Sequence, residues 1–210
     1  MKCKICNSKK LKKLQLKESY YHCQNCDLIF IDEAEIIDPV EEKKRYAQHD
    51  NNHENVGYVK MFERFIEQVL EPYIDSLETA LDFGCGPGPV LADLLKMKGI
   101  SVDIYDPFFF PEKVFKDKKY DLITSTEVFE HLKNPLEELE VLLEHLKKGG
   151  YLALMTSFHS GPEQFKDWWY KWDPTHITFY NHNTFNEIAK KYLLEIVFED
   201  RDKYCLFRKI

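Results

Sequence analysis

From residue 55 onward the apolar positions fall into two alternating rhythms. In "VGYVKMFERFIEQVLEPY", Val59, Phe62, Phe65, Ile66, Val69 and Leu70 recur at helical spacing, and the stretch predicts an amphipathic helix closed by Pro72. Short apolar runs follow, "LETALDF", "ISVDIYD", "YDLITST" and "YLALMTS", each bounded by glycine, proline or charge. Runs of that length and composition predict buried strands. Helix patterns lie between them. "PVLADLLKMKG" has Pro89 near its first turn and Gly99 just past its end. "NPLEELEVLLEHLKKGG" has Asn134 as N-cap, Pro135 at the first helical position and Gly149 as stop. "HNTFNEIAKKY" predicts a last helix, and "LLEIVFED" and "YCLFRKI" a closing antiparallel hairpin. Strands alternating with helices predict an α/β fold over residues 55–210, a doubly wound, mostly parallel sheet.

The rhythm is missing from residues 32–54, which read as a polar linker or lid. Residues 1–31 follow a third pattern. "CKIC" and "CQNC" place Cys3, Cys6, Cys23 and Cys26 in two C-x-x-C knuckles, sixteen residues apart. That spacing predicts a four-cysteine zinc site, with "LKKLQL" and "YYHC" as the strands of a small zinc ribbon. Two disulfides or two redox pairs fit the pattern less well in a chain with no signal peptide. Four thiolates leave no open position on the metal, so its role is structural, and it supplies folding energy that thirty residues lack.

The 210 residues suit one domain plus a small appendage, and no apolar run reaches the roughly 18 residues of a membrane span. A cytoplasmic, soluble protein is expected. The net charge of −7 divides unevenly, with +5 on residues 1–31 and −12 on the rest. A basic head on an acidic body suits an anionic partner, RNA among them, or simply a solvated lysine-rich hairpin.

The most informative stretch is "LDFGCGPGPV", residues 81–90. Glycines at 84, 86 and 88 let backbone approach a ligand beyond the strand ends. A dinucleotide fingerprint wants its third glycine where Pro89 stands, and a pyrophosphate would meet the charge of Asp82. A zwitterionic ligand with an ammonium group avoids both conflicts. Asp106, ending the next strand, can accept both hydroxyls of a ribose.

These segments, with "YDLITSTEVFEHL" and "LKKGGYLALMT", resemble the class I S-adenosylmethionine-dependent methyltransferases, strongly over residues 77–157. The resemblance implies a Rossmann-like fold and S-adenosylmethionine as cofactor. It lays Gly84, Cys85 and Gly86 along the methionine part, gives Asp106 the ribose, and sets Ser125, Thr126 and Glu127 beside the sulfonium; Gly88 belongs to the same cofactor loop, and Asp82 either binds the cofactor or orders that loop. One departure stands out. "PFFFPEKVFKDKK" is too short for the helix and strand the family places after the second strand. With Pro107 beside it, Phe108, Phe109 or Phe110 either stacks on the adenine or patches the shortened sheet edge.

For the methyl acceptor, "FKDWWYKWDPTHITFY" gathers three tryptophans, two tyrosines, Asp173 and His176 after the fifth strand. His176 reads as base or orienting group with Asp173 as partner, unless Asp173 merely starts a turn at Pro174. His131 is a second candidate base, and Tyr46 and His49 read as lid residues over the cofactor. A small-molecule methyltransferase acting on a sugar or a hydroxylated or aromatic metabolite is the leading expectation. An RNA methyltransferase gripping RNA with the ribbon, and a catalytically silent ligand-binding or scaffold protein, are the alternatives.

Overall fold

The structure is a computed structural model and describes residues 1–46 and 51–210. Among the described residues, ten strands form two sheets. The ribbon contributes β1 (Leu11–Lys13), β2 (Tyr20–Cys23) and β3 (Ile29–Ile31). After a 3₁₀ turn at Glu33–Glu35 come helices α1 (Pro39–Tyr46) and α2 (Val56–Phe65). Then follow β4 (Thr79–Phe83), α3 (Val90–Met97), β5 (Ser101–Tyr105), β6 (Tyr120–Thr126), α4 (Pro135–His145) and β7 (Leu146–Met155). The chain ends with α5 (Pro162–Phe165), β8 (Thr178–Phe179), α6 (His182–Tyr192), β9 (Leu194–Glu199) and β10 (Tyr204–Lys209).

The larger sheet has the order β5-β4-β6-β7-β10-β9. β5, β4, β6 and β7 run parallel, and β10 is antiparallel to both its neighbours. Side chains alternate between its faces, as a pleated strand requires. Leu81, Ile123, Leu152 and Leu154 point to a core shared with α4 and α6, whereas Ala80, Leu122, Ala153 and Met155 point to a core shared with α2 and α3. Helices therefore cover both faces, the Rossmann-like, doubly wound arrangement expected from the sequence.

The sheet stops at β5. Residues 107–119 hold neither helix nor strand, so the shortening after the second strand is real. Phe115 fills the place, buried between Phe83, Tyr105 and His145 at ring distances of 6.3, 5.1 and 5.0 Å. Two boundaries also move. Helix α2 does not close at Pro72 but runs on through a π turn, Ile66–Leu70, and a 3₁₀ turn, Glu71–Ser76. Proline sits in the opening of that last turn, where no N–H is needed. α4 ends at His145, ahead of Gly149, because Leu146 already pairs with Tyr120 in the sheet.

The ribbon is fused to the rest. β3 lies between β2 and β8 in the sheet β1-β2-β3-β8, and all three of its residues are buried. Phe30 faces the core of α4 and α6, together with Cys3, Ile5, Cys23, Cys26 and Leu28. Ile29 and Ile31 face a separate aromatic core of Tyr20, Phe165, Tyr170, Ile177 and Phe179. Phe179 is fully buried and sits opposite Ile29 in the ladder. We predict that Phe179→Ala lowers stability by about 3–5 kcal/mol, read as a shift in denaturation midpoint with unchanged slope. A loss under about 1 kcal/mol would show that this junction is not a packed core.

Candidate functional site

A cavity of about 800 Å³ opens beyond the carboxyl ends of β4, β5 and β6. Its floor is the turn after β4. Gly84 and Gly86 take φ of +81° and +66°, a region side chains rarely adopt, and Gly84 and Cys85 donate their N–H groups to the Tyr105 carbonyl at 2.7 and 3.2 Å. Gly88 serves another purpose. A Cβ there would stand 1.9 Å from the Asn51 carbonyl oxygen, so this glycine lets the incoming chain cross the turn, and it does not line the cavity.

Two carboxylates flank the floor. Asp82 is 2% exposed, and its only hydrogen bond among the described residues is from the Thr124 hydroxyl at 2.9 Å. Burial, with Asp106 adding repulsion, pushes its carboxyl up to about 7. Asp106 is buried too, but well bonded. It accepts the N–H groups of Phe108 (2.8 Å), Phe109 (3.1 Å) and Gly86 (3.1 Å). The turn it organises closes by a reciprocal backbone pair with Phe110. That turn brings Pro107, Phe108 and Phe109 to the cavity, while Phe110 stays off its lining. Phe108 packs on Tyr46 of α1 at 5.6 Å, with the Lys43 ammonium 5.9 Å from its ring centre. Tyr46 lines the cavity as well, and His49 lies outside the described residues.

The opposite wall is richer than the sequence suggested. Thr126 and Glu127 face the cavity, whereas Ser125 is buried, its hydroxyl without a hydrogen-bond partner among the described residues. Glu127 has φ of +53°, held by its N–H donating to the Met155 carbonyl at 2.7 Å. A non-glycine residue in that region is strained, which marks functional turns. The 3₁₀ turn Phe129–His131 then buries Glu130 completely. The Tyr170 hydroxyl lies 2.8 Å from Glu127 Oε2 and 2.6 Å from Glu130 Oε1. Two contacts that short call for two protons, and the phenol has one, so one carboxyl group carries the other. The ionisation shifts agree: burial, then the charge of Glu130, holds Glu127 well above the ordinary carboxylate range, and burial raises Glu130. Glu130 and Tyr170 were not singled out in the sequence. The i, i+3 spacing of the glutamates in "EVFEH" was the available signal.

His131 and His176 meet here with their rings 4.7 Å apart, and Glu130 offers an oxygen within 4.8 Å of a nitrogen of each. His131 Nδ1 bonds the Thr175 carbonyl at 3.0 Å, and His176 Nδ1 bonds the Tyr170 carbonyl at 2.7 Å. A carbonyl only accepts, so each Nδ1 carries the proton and each Nε2 is the basic nitrogen. Asp173 uses one oxygen to accept the N–H and hydroxyl of Thr175 at 3.0 and 2.7 Å, and it pairs with Arg45 Nε at 3.3 Å. The His176 N–H donates to the Asp173 carbonyl at 3.0 Å, so Asp173 both forms the turn and lies beside His176. Trp168 and Trp169 complete the wall.

The four cysteines of the ribbon also converge, away from the cavity. Their sulfurs all lie within 4.8 Å of one another, with Cys3–Cys26 and Cys6–Cys23 at 3.5 Å. These are thiol contacts, too long for disulfides. A tetrahedron with bonds of about 2.3 Å has edges of about 3.8 Å, so the cage fits a zinc-sized ion. The Cys3 thiol is drawn down to about 5, chiefly by the hydrogen bond from Cys26.

The sequence profile of a family described as "Methyltransferase domain" matches residues 58–198. No curated protein matches the chain. Among solved structures, the plantazolicin methyltransferase BpumL, in complex with a monoazolic desmethylPZN analog and SAH, is 13% identical with a TM-score of 0.53, over 81% of this chain and 91% of that one. A SAM-dependent methyltransferase from Archaeoglobus fulgidus is 17% identical with a TM-score of 0.53, over 72% and 92%. The mitomycin 7-O-methyltransferase MmcR is 13% identical with a TM-score of 0.51, over 88% and 77%. At these identities the likeness is one of fold.

The raised Asp82 carboxyl yields a stability prediction. Its folded value, about 7, exceeds its ordinary value of 3.8, so the folded state holds a proton that the unfolded state has lost. The resulting destabilisation is absent below pH 4, grows between pH 4 and 7, and is complete above 7. Asp82→Asn is expected to raise the stability of the ligand-free protein at pH 8 by up to about 4 kcal/mol. The gain shrinks as pH falls toward 4. Denaturation series at pH 4, 6 and 8 measure it, and a pH-independent difference would refute the assignment.

Proposed function

The chain belongs to the methyltransferase domain family, and on that premise we propose that it transfers a methyl group from S-adenosylmethionine to a hydroxyl of a small metabolite, with a structural zinc ion held by Cys3, Cys6, Cys23 and Cys26. The observation that carries the reading is one cavity with two chemically distinct ends. At one end lie bare peptide and two carboxylates. At the other lie two imidazoles, Glu127, an aromatic wall and Tyr170, which bridges Glu127 to the buried Glu130 behind it.

S-adenosylmethionine, when bound, supplies a methyl group on a sulfonium whose departure needs no acid. The chain's own residues have three tasks. The first is to hold the cofactor. Asp82 is a buried carboxyl short of partners, and an ammonium group would draw it into the ionised form. Asp106 has its three backbone bonds and one further acceptor direction for a ribose hydroxyl. Phe108 offers a ring to a flat base. The second task is to orient the acceptor, for which Trp168 and Trp169 offer apolar walls. The third is to take the hydroxyl proton. His176 presents Nε2 for it, with Nδ1 fixed by the Tyr170 carbonyl. His131 stands beside it in the same tautomer.

No helix among the described residues is long and apolar enough to cross a membrane. The size and enclosure of the cavity favour a small acceptor over RNA.

The test is a titration with S-adenosylhomocysteine, followed by turnover. Asp106→Ala and Phe108→Ala are expected to weaken binding at least about tenfold, and Phe110→Ala to leave it unchanged. His176→Ala, assayed by transfer of labelled methyl to a metabolite extract, is expected to lose about a hundredfold in turnover at unchanged affinity for the homocysteine product. Failure of the wild-type protein to bind that product would end the reading, and full turnover by His176→Ala would end the base assignment.

A further inference from the structure

The cysteine ribbon does more than cap the fold. Its last strand, β3, is the inner neighbour of β8, and β8 ends the loop that carries the acceptor wall. Ile29 pairs with Phe179 and Phe30 with Thr178, and the Ile31 N–H donates to the Ile177 carbonyl at 3.0 Å. Further back, Tyr20 of β2 meets Phe165 at 5.1 Å and Phe179 at 6.0 Å. Trp168 packs at a tilt against Phe165 and Tyr170, at 6.1 and 5.1 Å, and edge-on against Phe179 at 6.0 Å. Residues 165–179 therefore have two sides. Trp168, Trp169, Tyr170, Asp173 and His176 look into the cavity, and Phe165, Ile177 and Phe179 are sunk into the ribbon.

The second cysteine knuckle is itself bolted to the body of the protein. The Thr184 hydroxyl donates to the Cys26 carbonyl at 2.8 Å, and His159 Nε2 lies 2.9 Å from the Asp27 carbonyl. Asp27, with φ of +59°, also accepts from the Asn183 amide at 2.5 Å and bonds His22 at 3.0 Å. The cofactor floor shares a core with the ribbon through Leu81 and Phe83 of β4, but among the described residues its polar groups make no hydrogen bond to the ribbon. Asp82, Gly84 to Gly86 and Asp106 are tied to β5 and β6.

We infer that the four-cysteine metal site is the strut of the acceptor wall: through β3 and β8 it sets the positions of Tyr170 and His176, while the cofactor end stands without it. The inference rests on the reading of the cavity given above. In chemical terms, metal loss should erase acceptor recognition and spare cofactor binding.

The chain offers its own reporter. Its three tryptophans, Trp168, Trp169 and Trp172, all lie in this loop. Trp169 and Trp172 are exposed and Trp168 is half-buried, so Trp168 is the one whose surroundings can change most. The 210-residue chain, zinc-loaded and then stripped with a chelator, is compared by tryptophan emission, by acrylamide quenching and by calorimetric titration with S-adenosylhomocysteine. Metal removal is expected to shift emission to the red and make Trp168 quenchable, to change affinity for the homocysteine product by less than threefold, and to reverse on adding zinc. Ile29→Ala, which keeps all four cysteines, should retain one zinc per chain and show the same emission change. Unchanged emission after metal loss overturns the inference. So does parallel loss of product affinity, because that would be collapse of the whole domain. Failure of the zinc-loaded protein to bind the product refutes the cavity reading instead, and the emission arm still decides the strut.

Discussion

A three-residue strand with no solvent face joins the cysteine ribbon of this molecule to the loop behind the acceptor wall. Ile29, Phe30 and Ile31 are all buried, and their alternation sends one side chain into the core of α4 and α6 and two into the aromatic core behind the loop of residues 165–179. An edge strand of a ribbon would ordinarily show one face to water. Here the ribbon, too small to bury much of itself, borrows two neighbouring cores, and those cores need it in return. The basic head and acidic body are distinct in charge but continuous in packing.

The cavity inherits an asymmetry from this arrangement. Its cofactor end is made of backbone turns at strand tips, fixed by the parallel sheet they terminate. Its acceptor end is made of side chains on a loop, fixed from behind by a different sheet. The two ends concentrate strain differently. Glycines at 84 and 86 take up left-handed backbone without cost to a side chain, whereas Glu127 takes it up against its own Cβ. The buried carboxyls at the two ends are also distinct in kind. Asp82 is raised by isolation, and Glu127 by isolation together with a like-charged neighbour.

Much of this was legible before any coordinates. The alternation of short apolar runs with helical periods identifies the sheet, because period two and period 3.6 are read directly from residue spacing. "HNTFNEIAKKY" becomes helix α6 without a residue's change, since Asn181 caps it and its apolar stripe is clean. The glycine turn, Asp82 and Asp106 were legible for the same reason, being local backbone chemistry. Three features were not. β3 reads as a short apolar run beside β2, and its second partner β8, some 150 residues away, is what makes it an inner strand. Glu130 looks like a surface charge until a 3₁₀ turn buries it beneath Tyr170. The phenylalanine that fills the shortened segment is Phe115, hidden in "PEKVFKDKK", because the more conspicuous run at 108–110 is taken up by the turn around Asp106. Each miss is a tertiary partnership that no window of sequence contains.

The truncated edge of the sheet carries an architectural lesson. A strand at a border is bonded on one side only, so it can be lost without disturbing the register of the strands inside it. What it leaves behind is a new border with unpaired peptide groups, open to another chain. In this molecule Asp103 sits midway along that border, bonded to Lys118 of the shortened segment itself and to Tyr120, which opens β6. The remnant of the missing element thus guards the gap its own shortening opened.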